Sequence, residues 1–187
     1  LSRAIKQGRV AHAYLFTGPR GVGKTSIARI LAHEINDLPY KDDSTHLDII
    51  EIDAASNNGV DDIRDLRERV QIAPVSASKK VYIIDEVHML SKPAFNALLK
   101  TLEEPPEHVV FILATTDVEK VPETILSRTQ RHSFRRATEK DMVTNLKRIA
   151  KKEKIAVDEA ALKLIASHSD GSFRDSVSMF DQLARRL

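Results

Sequence analysis

One octapeptide constrains this chain more than anything else in it: Gly18-Pro19-Arg20-Gly21-Val22-Gly23-Lys24-Thr25. It satisfies G-x-x-x-x-G-K-[ST] at every fixed position. The flanks agree with it. Ala13-Tyr14-Leu15-Phe16-Thr17 reads as a buried strand running into the turn. Thr25 to Ile35 then carries Ile27, Ile30, Leu31 and Ile35 at helical spacing. A strand, a glycine turn and a helix in that order suit an anion. Glycines let the backbone curl until successive N–H groups point inward, and the helix N-terminus adds partial positive charge. The expected ligand is ATP with Mg²⁺, held by Gly18, Gly21, Val22, Gly23, Lys24, Thr25 and Ser26. Lys24 would reach the β- and γ-phosphates, and the Thr25 hydroxyl would ligate the metal.

A second signal lies further on. Val81-Tyr82-Ile83-Ile84 is a β-branched run that ends on Asp85-Glu86. In open α/β sheets, ligands bind beyond the carboxyl ends of the strands, so both carboxylates are expected in the crevice of the phosphate loop. Asp85 would hold Mg²⁺ and Glu86 would orient and polarise the attacking water. Asp85-Glu86-Val87-His88 also fits the D-E-x-H box of helicases. Those enzymes need two sheet domains, whereas 187 residues leave room for one.

The remaining pattern predicts an α/β fold, a P-loop nucleotidase with a parallel five-stranded sheet and a small three-helix lid. Further strands are expected at Leu47–Ile52, Val109–Leu113 and His132–Phe134. Helices are expected at the N-terminus up to Gln7, over Asp61–Val70, and from an N-cap at Ser91 with Pro93 in its first turn to a stop at Glu104 before Pro105-Pro106. Asn36 to His46 reads as a loop. From Thr138, whose Asp141 suggests a capping box, only helices follow, near 139–153, 159–168 and 172–186. The expected domains are therefore 1–137 and 138–187.

Composition narrows the classes. The chain is 42% hydrophobic and 30% charged, which suits a globular domain with a real core. A net charge of +2 from interspersed residues does not by itself argue for nucleic acid. The basic stretches Arg131–Arg136 and Lys147–Lys154 read as solvated faces. Absence of cysteine excludes disulfides and cysteine-based zinc sites, and no apolar run approaches a membrane span.

Several longer blocks carry a resemblance. Ala114-Thr115-Thr116-Asp117, Ile125-Leu126-Ser127-Arg128 and Gly171-Ser172-Phe173-Arg174-Asp175 resemble the AAA+ ATPases of clamp loaders. So do Glu51-Ile52-Asp53-Ala54-Ala55-Ser56 and Leu98 to Pro106. The likeness is greatest to the gamma/tau subunits of bacterial DNA polymerase III and covers essentially the whole chain. It implies that Thr116 is sensor 1, which feels the γ-phosphate or water. It implies that Arg128 is an arginine finger acting in trans on the neighbouring subunit's ATP, and that Arg174 is sensor 2, reaching from the lid to the phosphates. Read alone, Arg128 on a loop is more often a plain surface residue, and Thr115 and Thr116 could merely cap a turn.

The resemblance also implies a bacterial cytoplasmic protein with other clamp-loader subunits, a sliding clamp and primer–template DNA as partners. DNA contacts would go to phosphates, with Lys92 and Lys100 as candidates. Three departures stand out. The family's four-cysteine zinc module is replaced by the short segment Asn36 to His46, flanked by His33 and His46, so no zinc is expected. The finger motif, usually Ser-Arg-Cys, reads Ser127-Arg128-Thr129. Both ends look cut, without the segment that helps hold adenine and without a C-terminal collar. Another AAA+ DNA motor or a DExH-type helicase is the competing enzyme. A non-catalytic scaffold subunit is the competing class, against which the intact Lys24, Thr25, Asp85 and Glu86 argue.

Overall fold

The computed structural model describes residues 2–40 and 46–185. Residues 41–45 of the expected loop between Asn36 and His46, and the last residue of the expected helix 172–186, lie outside them. The chain divides into two compact units. One comprises the chain up to Thr17 and Lys24–Ser133; the other comprises Gly18–Gly23 and the chain from Phe134 onward.

The first unit is built on five parallel strands: β1 (Ala13–Thr17), β2 (Ile49–Asp53), β3 (Lys80–Asp85), β4 (Val109–Thr115) and β5 (Gln130–Ser133). Their order in the sheet is β2-β3-β4-β1-β5. The helices of this unit are α1 (Ser2–Lys6), α2 (Lys24–Ile35), α3 (Val60–Val70), α4 (Lys92–Glu103) and the one-turn α5 (Glu123–Leu126). Because alternate side chains leave opposite faces of a strand, Leu15, Tyr82, Ile84, Phe111 and Leu113 meet Ile63 and Leu66 of α3 and Phe95, Leu98 and Leu102 of α4 in one core. Helix α2 packs on β3 and β4. With both faces covered, β1 and β4 are buried at every position. That is why they read as unbroken apolar runs rather than alternating ones.

In the second unit, α6 (Glu139–Glu153), α7 (Glu159–His168) and α8 (Phe173–Ala184) enclose a small core of Met142, Leu146, Leu162, Ile165 and Phe180. Thr138 and Asp141 form the expected capping box. Ser91 likewise caps α4, accepting from the Ala94 N–H at 3.3 Å. Lys147 pairs with Glu159 at 2.8 Å, which ties α6 to α7 on the basic face.

Strands β3 and β4 extend the runs read as Val81–Ile84 and Val109–Leu113, and two further strands differ from the sequence reading. The second begins at Ile49 rather than Leu47, because Asp48 turns inward as a cap while Leu47 stays exposed. Asp48 Oδ1 accepts from the Val75 N–H at 2.7 Å, and Oδ2 accepts from the Ser76 and Ala77 N–H groups at 2.8 and 2.9 Å. The fifth runs over Gln130–Ser133 rather than His132–Phe134, placed by parallel pairing with Tyr14–Thr17 at a mostly exposed edge that leaves no apolar pattern. The short turns Val87–Met89 and Val118–Lys120 and helix α5 were not expected, being shorter than any periodicity can reveal.

The Asp48 cap makes a stability prediction. Burial pushes this carboxyl up, but the N–H donors of Ser76, Val75 and Ala77 outweigh it and hold its pKa at about 2, below the ordinary 3.8. Its stabilisation is therefore complete above the ordinary carboxylate range and is lost as pH falls toward 2. Asp48→Asn turns an amide N–H₂ toward donors and is expected to cost about 2 kcal/mol in urea unfolding at neutral pH. The difference between variant and parent should shrink on acidification.

Candidate active site

The carboxyl ends of β1, β3 and β4 lie side by side, since β4 pairs with both others. Thr17 and Thr115 close β1 and β4 in matched register, and Asp85 closes β3. At this edge the sheet order reverses: the chain leaves β1 for the distant β2 and returns through β3 and β4. Such a switch point is where open α/β sheets bind ligands.

The phosphate loop follows β1. Gly18, Gly21 and Gly23 all have positive φ (142°, 76° and 95°), so the loop needs residues without a Cβ. Crowding adds a second reason at two of them. A Cβ on Gly18 would collide with the Phe134 carbonyl, and one on Gly21 with the Ser172 hydroxyl. Val22 is buried, and Ser26 is exposed in the first turn of α2. Lys24 and Thr25 begin that helix.

Thr25 Oγ1 donates to Asp85 Oδ2 at 2.6 Å. Sixty positions apart in sequence, these two residues were both expected on the metal, and the fold brings them into contact. A hydroxyl and a carboxylate are hard oxygen donors, and Mg²⁺ asks a protein for one or two such groups beside water and phosphate. The donor set therefore fits the ion. Asp85 Oδ1 also accepts from the Glu86 N–H at 2.9 Å.

Glu86 leaves β3 in the left-handed region, with φ 48° and ψ 44°. This backbone costs a non-glycine residue about 1–3 kcal/mol and persists only where the surroundings hold it. Here they do. Glu86 Oε2 accepts from Thr116 N–H at 3.1 Å and from Thr116 Oγ1 at 2.9 Å. His88 Nδ1 stands 3.3 Å from the same oxygen. The sequence reading quoted His88 only as part of a helicase box; the D-E-x-H spacing was the available signal.

Arg174 enters from α8, where its backbone N–H donates to the Gly21 carbonyl at 3.3 Å. Arg128 is elsewhere. It follows α5, where its Nη2 pairs with Glu103 Oε1 at 2.9 Å and its Nη1 donates to the Thr124 carbonyl at 2.9 Å. Thus Thr25, Asp85, Glu86 and Thr116 belong to one strand edge, Lys24 is buried at the start of α2, Arg174 adjoins the glycine loop, and Arg128 hydrogen-bonds to Glu103 and Thr124 instead. Lys92 and Lys100 are exposed on α4.

The comparisons with known proteins bear on what this edge serves. Residues 1–138 match the family model described as DNA polymerase III, delta subunit. Residues 141–184 match that of the DNA polymerase III clamp loader subunit, ATPase lid domain. The chain belongs to the clamp-loader subunit family of DNA polymerase III. Within this family, DNA polymerase III subunit tau of Bacillus subtilis is 52% identical, across 97% of this chain and 35% of that protein. The Escherichia coli tau subunit is 48% identical across 97% of this chain and 30% of its own length. The chain thus spans about a third of these tau relatives. Its fold is that of AAA+ P-loop ATPases. The RuvB Holliday junction branch migration motor of Thermotoga maritima superposes with a TM-score of 0.74, covering 100% of this chain and 57% of that one at 24% identity. A DNA polymerase III gamma subunit-related protein of the same organism superposes with a TM-score of 0.64, covering 91% of this chain and 57% of that one at 25% identity. Among the described residues, no helix is long and apolar enough to cross a membrane.

Proposed function

We propose that this chain is the ATP-hydrolysing motor of a DNA polymerase clamp loader, opening a sliding clamp and loading it onto primed DNA in the bacterial cytoplasm. The observation that carries the reading is the meeting of Thr25 and Asp85 at 2.6 Å beside a complete phosphate loop, in a member of the clamp-loader family. Bound ATP–Mg²⁺ supplies the phosphoryl group and most of the charge neutralisation.

The protein contributes position and charge. Backbone N–H groups of Gly18, Gly21, Val22 and Gly23 line the loop, Ser26 joins them, and Lys24 places a cation at the phosphates. Thr25 and Asp85 offer the metal its protein oxygens. Glu86 accepts a hydrogen bond from the attacking water and aims its lone pair. Thr116 senses the γ-phosphate or that water, and Arg174 brings a second cation from the lid. Arg128 acts on the ATP of the next subunit, which fits its lack of any local phosphate-loop partner. The domains are an ATPase domain over 1–137 and a lid over 138–187. Partners are the other subunits of a hetero-oligomeric ring, the clamp and primer–template DNA. Lys92 and Lys100 are candidates for phosphate contacts, which bind DNA without sequence preference and weaken in salt.

The full-length protein, assembled with its partner subunits, tests this reading. ATP turnover should rise when clamp and primed DNA are added together, and the clamp should become loaded. Turnover indifferent to the clamp, or strand displacement without one, overturns the loader in favour of another DNA motor. ATP binding without hydrolysis in every assembly overturns the motor in favour of a scaffold.

A further inference from the structure

His88 lies against the carboxylate of Glu86, with its side chain 10% exposed. Its Nδ1 lies 2.9 Å from Thr115 Oγ1 and 3.3 Å from Glu86 Oε2. The surrounding bonds determine which atom carries the proton. Thr115 Oγ1 donates its single proton to the Asp117 carbonyl at 3.1 Å and accepts from the Asp117 N–H at 3.0 Å. A hydroxyl has one donor and two acceptor sites, so only an acceptor site remains for His88. Nδ1 therefore bears the hydrogen. That N–H is directed at Thr115 Oγ1, and the same nitrogen stands 3.3 Å from Glu86 Oε2 as a close polar contact.

The consequence falls on Glu86. The N–H and O–H of Thr116 both donate to one carboxylate oxygen, Oε2, and the His88 imidazole stands 3.3 Å from the same oxygen. Glu86 Oε1 has no hydrogen-bond partner among the described residues, and the side chain is 31% exposed. One oxygen is anchored by two donors with the imidazole against it, and the other keeps its lone pairs. A glutamate held this way has lost most of its rotational freedom before a water arrives, which is how an oriented group lowers a barrier.

We propose that His88 is a positioning residue for hydrolysis: its imidazole, held in place by the Nδ1–H bond to Thr115, stands against Glu86 Oε2 and keeps that oxygen from swinging away, so that Oε1 faces the attacking water. The inference rests on the water-orienting role of Glu86 in the proposed function. His88 touches neither water nor nucleotide and acts through Glu86.

The test uses the full-length protein assembled with its partners, clamp and primed DNA. An asparagine amide places an N–H₂ close to the position of Nδ1, whereas glutamine places it near Nε2 and alanine has none. His88→Ala and His88→Gln are expected to lower kcat about tenfold to a hundredfold with ATP affinity unchanged, and His88→Asn to restore most of it. In a Glu86→Gln background, His88→Ala should add no further loss, because the two act as one unit. If His88→Gln keeps full turnover, or His88→Asn is as impaired as His88→Gln, the inference is wrong while the water-orienting role of Glu86 stands. If Glu86→Gln itself keeps full turnover, that role fails and the inference falls with it. Should His88→Ala not fold, the asparagine–glutamine pair still decides.

Discussion

Lys24→Ala is expected to lower ATP affinity by about two orders of magnitude and to bring turnover to background. Lys24 is only 6% exposed, so its ammonium works where water screens little. Removing one member of a desolvated charge pair costs about 2–5 kcal/mol, and each 1.4 kcal/mol is about tenfold in a dissociation constant. The fold should survive, since Lys24 opens α2 and alanine is the best helix former. Titration calorimetry with ATP–Mg²⁺, beside a urea unfolding curve, separates these outcomes. Unchanged ATP affinity in a folded Lys24→Ala protein would remove the phosphate-loop role of this residue.

Arg128→Ala should act in a different way. In the assembled complex, turnover is expected to fall about 10³-fold, because a trans-acting arginine at the developing charge supplies 10³–10⁵ in comparable enzymes. ATP affinity of the same subunit should be unchanged, since Arg128 pairs with Glu103, Thr124 and Ser127 and with no phosphate-loop residue. Stability should also be nearly unchanged. The pair with Glu103 is well exposed, and such pairs contribute about 0–1 kcal/mol. The isolated chain, which lacks a neighbour's site to complete, should show the same low turnover with or without Arg128. Loss of turnover in the isolated chain as well would place the arginine in its own site and reject the trans role. No loss in the complex would reject the finger altogether. Mixing Arg128→Ala subunits with Lys24→Ala subunits adds a check, because a trans residue damages the site next door.

How much was legible from residues alone depended on sequence distance. The octapeptide from Gly18 to Thr25 could be read because every requirement lies within eight positions, and its flanking strand and helix are adjacent. The caps at Ser91 and at Thr138 with Asp141 were legible for the same reason. So were β1 and β4, whose burial on both faces writes itself as continuous apolar runs. The edge strand β5 and the one-turn α5 left almost no pattern, since exposed or very short elements are not required to be apolar.

What the sequence by itself determined, then, is the anion-binding turn, the alternation of strands and helices and the helical tail, because each follows from neighbours or from a short period. Only the tertiary structure decided the rest. The strand order sets Thr25 against Asp85 and Glu86 against Thr116, across 60 and 30 positions. It also turned Asp48 from a strand residue into a cap, paired Arg128 with Glu103, and set His88 Nδ1 3.3 Å from Glu86 Oε2. Such pairings come from which strands lie side by side when the apolar faces are buried, and that is settled by the whole core at once rather than by any local stretch.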